Sequence, residues 1–135
     1  MKCVALEQMQ EHAAGAGTVL DLTALAGKWE NTNLSPPLIR NIQLEPGQNQ
    51  LMMRVIGAEP GLAEDWGVTE AQPFSENTAS GLATAFSASF DLGGFESLLQ
   101  GYVVKGVLVI VSFSQVKDGR ERSSSFGKEF FYRVS

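Results

Sequence analysis

From residue 27 to residue 134 the chain shows no helical period. Instead, short runs rich in Val, Ile, Phe and Leu return every dozen or so residues, parted by turn formers. The runs are 27–33, 38–44, 50–57, 65–73, 81–91, 97–104, 107–116 and 124–134. The breaks read SPP (35–37), EPGQN (45–49), AEPGLAE (58–64), SENTAS (75–80), DLGGFE (91–96), KG (105–106) and KDGR (117–120). Pro and Gly preset turn dihedrals, and Asn, Asp and Ser bond their own backbone, so each break has a physical reason to bend. Asp118–Gly119 is the strongest hairpin signal of the chain.

Links this short leave no room for crossover helices, so neighbouring strands must run antiparallel. Eight such strands in a meander close into an up-and-down barrel, which removes the sheet edges. The fold class predicted is therefore all-β: an eight-stranded antiparallel barrel with a short N-terminal helix. A two-sheet sandwich is the rival. A barrel of this size is filled by side chains or holds one small ligand. The helix is read at 4–14, VALEQMQEHAA, whose apolar stripe is Val4, Leu6, Met9 and Ala13, with GAG at 15–17 as the stop. Residues 21–27, DLTALAG, read as a helical turn capped by Asp21 or Thr23. This divides the chain into a helical segment, 1–20, and one barrel domain, 21–135.

Composition narrows the partners. With 135 residues, 44% apolar and 19% charged, the chain suits one folded domain. Its net charge is −5 and its ten Lys and Arg are scattered, which argues against nucleic acid. Cys3 is alone, so neither an internal disulfide nor a Cys-based metal site is available. Glu7, Glu11 and His12 interrupt any apolar export signal, and no window is long enough for a membrane span. The expectation is a cytoplasmic protein with no membrane partner and no cofactor. A mature exported chain remains open.

The opening of the first run adds a resemblance. Gly27-Lys28-Trp29, after a helical turn and at the head of an eight-strand meander, resembles the G-x-W signature of the calycin superfamily, which comprises the lipocalins, the fatty-acid-binding proteins and the avidins. The resemblance implies that Trp29 closes one barrel end and that a basic residue of the last strand, Arg133, packs across its indole. LAGKWEN (25–31) is similar to the first strand of avidin-like proteins, which makes Asn31 a candidate ligand contact. The match then stops: the only other Trp is Trp66, and Met or Arg stands where a pocket Tyr is expected. LSPP (34–37) leaves no space for the helix pair of fatty-acid-binding proteins, and the sole histidine, His12, lies outside the barrel as a haem ligand would not.

Two strands leave alternatives. Residues 81–91 set Leu82, Thr84, Phe86, Ala88 and Phe90 against Ala83, Ala85, Ser87 and Ser89. If the small face points inward, the barrel holds a pocket with hydroxyls along it; if the Phe face does, the barrel is packed. Residues 107–116 are apolar on both faces: Val107, Val109, Val111 and Phe113 point one way, Leu108 and Ile110 the other. The N-terminal helix, a subunit interface or a lipid contact could cover the outer one.

The candidate ligand contacts are Asn31, Met53, Trp66, Ser87, Ser89 and Tyr102, with Gly27, Trp29 and Arg133 as the structural closure. Glu129, Arg54 and Arg40 could anchor a polar head group if they face inward, although charged side chains mostly stay in water. Catalytic signals are few. One histidine outside the barrel excludes the usual nucleophile–His pairs, and no cluster has metal-ligand spacing. Asp65 and Glu70 are the carboxylates near an aromatic, and burial there would raise a pKa toward acid–base use. Three functions are therefore expected, in this order. The first is binding of a small, largely hydrophobic molecule without chemistry. The second is a packed barrel acting through a homodimer or homotetramer interface. The third is a barrel-cavity isomerase or cyclase.

Overall fold

The computed structural model describes residues 20–47, 50–58, 64–117 and 123–134. The predicted helix at 4–14 and the Asp118–Gly119 turn lie outside these residues. Eight strands follow one another: β1 (Gly27–Asn31), β2 (Ile39–Gly47), β3 (Gln50–Gly57), β4 (Asp65–Ser75), β5 (Ala83–Asp91), β6 (Phe95–Val104), β7 (Val107–Val116) and β8 (Ser123–Arg133). Each pairs antiparallel with the next, and β1 also pairs with β8, so the sheet closes into an up-and-down barrel. That closure decides against the sandwich. β2 continues through Pro46 and Gly47, which were expected in a turn.

Alternation builds the interior. In β3, Leu51, Met53 and Val55 are buried while Gln50 and Arg54 are exposed. In β6, Phe95, Ser97, Leu99 and Gly101 are buried while Leu98, Gln100 and Tyr102 are exposed. Such a period-2 pattern fixes register, because a slip of one residue would turn every apolar side chain outward.

Three irregularities interrupt the pairing; in one, Phe74 pairs with Ala85 but Ser75 with Ala83, which leaves Thr84 unopposed and Ala83 fully buried. Arg54 of β3 pairs with Val68, whereas Ile56 pairs with Asp65. Trp66 and Gly67 therefore stand together opposite Val55, a β-bulge, and Gly67 takes a φ of 86°. In strict alternation Trp66 would share the face of exposed Val68; the bulge turns it into the core instead. A third bulge, at Arg40 between Ile39 and Asn41, leaves Ile39 fully buried.

One end of the barrel is shut. The turn at 22–25 carries Leu25, which is buried, and the Trp29 indole N–H donates to its carbonyl at 2.9 Å. Gly27 begins β1 with a φ of 134°. Trp29 and Arg133 are register partners of β1 and β8, and the guanidinium lies 4.7 Å from the indole ring. Arg133 also donates to the carbonyls of Thr23, at 3.3 Å, and Ala24, at 2.6 Å. The middle of the barrel is full. A Cβ on Gly101 would meet the ring of its cross-strand partner Phe86 at 2.4 Å, so Phe86 lies directly on bare backbone.

Candidate functional site

The end of the barrel away from Trp29 has a different lining. It is formed where β4 begins, β5 ends, β6 begins and β7 ends. Trp66 packs edge-on against Phe90, with centroids 5.6 Å apart, and against Phe95 at 5.4 Å. Phe90 is the register partner of Ser97, and Ser97 that of Ser114. The two hydroxyls hydrogen-bond at 2.8 Å, both residues being buried. Ser112, also buried, sits opposite Gly127, and its hydroxyl occupies the space where a Cβ would stand. In this half β6 and β7 contribute Phe95, Ser97, Ser112 and Ser114 to the interior, with Leu99 level with Ser112, against Leu108, Ile110 and Phe131 in the other.

Among the described residues, one fully buried side-chain polar atom has no hydrogen-bond partner, and it lies in this half. Trp66 is 5% exposed, and its indole Nε1 finds no acceptor among the described residues. By contrast, Trp29, the other indole, is satisfied.

Among the described residues Glu129 is the buried ionisable side chain, at 6% exposed. It accepts from Asn31 Nδ2 at 2.6 Å and from the Ile39 backbone N–H at 3.3 Å. The same Asn31 amide donates to the Ile39 carbonyl at 2.8 Å. Burial pushes the Glu129 carboxyl above its usual range, and the hydrogen bonds from Ile39, Asn31 and Leu38 pull the other way. Here desolvation outweighs hydrogen bonding. The arrangement pins the start of β2 to β8.

The sequence-predicted residues separate clearly. Trp66 lies in the site. Met53 is fully buried in the core. Asn31 is half-buried and committed to Glu129 and Ile39. Ser87, Ser89 and Tyr102 belong to the outer face, because Phe86, Ala88 and Phe90 are the inward side chains of β5 and Gly101 that of β6. Of the two alternatives for β5, Phe86, Ala88 and Phe90 point in, while the bulge at Thr84 turns Ala83 of the small face into the core and Leu82 stays exposed. Large apolar groups gain most by leaving water, and Gly101 makes room for the largest of them. Of the charged candidates, Glu129 faces inward; Arg40 is exposed, and Arg54 is exposed and paired with Asp65. Asp65 and Glu70 both lie at the surface, and the Arg54 hydrogen bond, helped by the Gly67 N–H, holds the Asp65 carboxyl below its usual range. No buried acid is available there. Among the described residues, no three His, Cys, Asp or Glu side chains gather as a metal site.

Ser97, Ser112 and Ser114 were not among the sequence candidates. Their signal was parity: Ser97 shares a face with Phe95 and Leu99, and Ser112 and Ser114 share one with Leu108 and Ile110. Three hydroxyls on an otherwise apolar face are a departure worth reading. Comparison with known proteins finds no matching family model, no matching curated protein and no matching solved structure.

Proposed function

We propose that this protein is a calycin-type barrel that binds a small, largely apolar molecule carrying a hydrogen-bond acceptor, without chemistry. The ligand would sit in the half lined by Trp66, Phe90, Phe95, Ser97, Ser112 and Ser114. The observation that carries this reading is the unpartnered Trp66 indole N–H. A buried donor left unsatisfied costs about 1–3 kcal/mol, so a ligand acceptor there gains what the empty fold gives up. Aromatic walls with a few fixed hydroxyls are the usual lining of such sites. The exposed positions of Asp65 and Glu70 favour binding over acid–base catalysis.

Side-chain 15N–1H spectra test this directly, since the chain has two tryptophans. Titration with small apolar ketones, esters and alcohols is expected to move the Trp66 indole signal downfield while Trp29, already bonded to Leu25, stays in place. A Trp66 signal unmoved across the whole panel, together with a clean apo mass in native mass spectrometry, would sink the reading.

A further inference from the structure

The outside of β6, β7 and β8 is apolar across three strands. The outward rows are set by register. Val104, Val107 and Tyr132 form one, Tyr102, Val109 and Phe130 the next, then Gln100, Val111 and Lys128, then Leu98, Phe113 and Phe126. Tyr102, Phe113, Phe130 and Tyr132 are 37–46% exposed and Phe126 is 66% exposed. Val109, on this outer face, is 5% exposed and is not part of the interior core cluster. With aromatic side chains of ~200 Å² each, plus Leu98 and Val104, this face offers water about 600 Å² of apolar surface. That is at the upper end of what a monomer shows, and a standard interface buries ~800 Å² per partner. The row of Leu98, Phe113 and Phe126 also lines a groove of about 660 Å³, which reaches Phe90, Ser97 and Ser114 of the candidate site.

We propose that a second copy of this chain docks face to face on β6–β8, with the two-fold axis along β7. The polar row selects this partner and this axis. Rotation about β7 lays β6 of one copy over β8 of the other at the same level. Lys128 then meets Gln100 of the second copy, whose amide oxygen accepts from the ammonium. The apolar rows meet apolar rows: Phe126 covers Leu98 of the second copy, and Phe130 covers its Tyr102. A self-complementary patch of this kind makes a closed dimer.

Light scattering on the purified full chain at high micromolar concentration is the test. The expected mass is twice the 14.5 kDa of one chain. Phe130→Glu and Tyr102→Glu change exposed side chains, so the barrel should survive, as circular dichroism can verify; each is expected to give the monomer mass. Gln100→Glu should tighten the dimer at low salt, by attraction to Lys128, and Gln100→Lys should loosen it at least tenfold in dissociation constant. A monomeric wild type overturns the proposal and leaves the face to residues 1–19 or to another partner. A dimer that persists in both Glu variants, or that responds alike to Gln100→Glu and Gln100→Lys, overturns it as well.

Discussion

Arg133 lies across the indole of Trp29 and at the same time holds the carbonyls of Thr23 and Ala24, so one side chain ties the last strand, the first strand and the turn that precedes it. Trp29 is 1% exposed and plugs that end of the barrel. Trp29→Ala should cost about 3–5 kcal/mol in chemical denaturation. Arg133→Gln should cost about 1 kcal/mol, since the guanidinium is exposed and its cation–π share is small. In a double-mutant cycle the Arg133 effect should shrink when Trp29 is absent, because half of what Arg133 touches has gone.

Phe86 on Gly101 makes a second prediction. Gly101→Ala places a methyl within the ring's van der Waals radius and should destabilise by about 1–3 kcal/mol through overpacking. Gly81→Ala is the control: its added Cβ meets nothing within 4 Å and its φ is not positive, so little change is expected. Equal effects at the two positions would show that Phe86 does not seat on the β6 backbone.

The bulge at Gly67 can be tested by strain alone. Nothing lies within 4 Å of a Cβ there, yet φ is 86°. Gly67→Ala should therefore cost about 1–3 kcal/mol from the backbone, with no clash to relieve. Because that bulge aims Trp66 inward, the same substitution should also raise quenching of Trp66 fluorescence by acrylamide. A variant with wild-type stability and wild-type quenching would mean the bulge can be dispensed with.

Glu129 predicts a pH dependence. Its folded pKa is raised from the ordinary 4.5, so the folded state binds its proton more tightly than the unfolded chain does. The stability this contributes is present in full below pH 4.5 and is lost as pH rises through the higher folded value. Glu129→Gln keeps an acceptor for Asn31 and Ile39 without the charge. The stability of the variant relative to wild type should therefore rise with pH over that window and level off above it. Urea midpoints across the acid range measure this, and a constant difference would show that Glu129 does not titrate there.

The number of strands, their order and most of their limits could be read from the chain. Turn chemistry in the breaks and alternation within the runs are local properties, and short links allow only antiparallel neighbours. The closing role of Trp29 was implied by the resemblance of Gly27-Lys28-Trp29 to the G-x-W signature. The site was less legible. Ser87 and Ser89 seemed pocket residues because alternation names two faces but does not say which is the inside. Trp66 was a candidate, but nothing local shows that a bulge turns it inward.

What the amino-acid sequence by itself determined is therefore the barrel: eight strands, their direction and, away from the bulges, the two sets of side chains on each. Only the tertiary structure decided which set is enclosed. That choice depends on contacts between residues far apart in the chain. Phe86 can point inward because Gly101 faces it across β6, and Glu129 can be buried because Asn31 and the Ile39 N–H reach it from β1 and β2. The unpartnered Trp66 N–H and the apolar outer face of β6–β8 both follow from that closure.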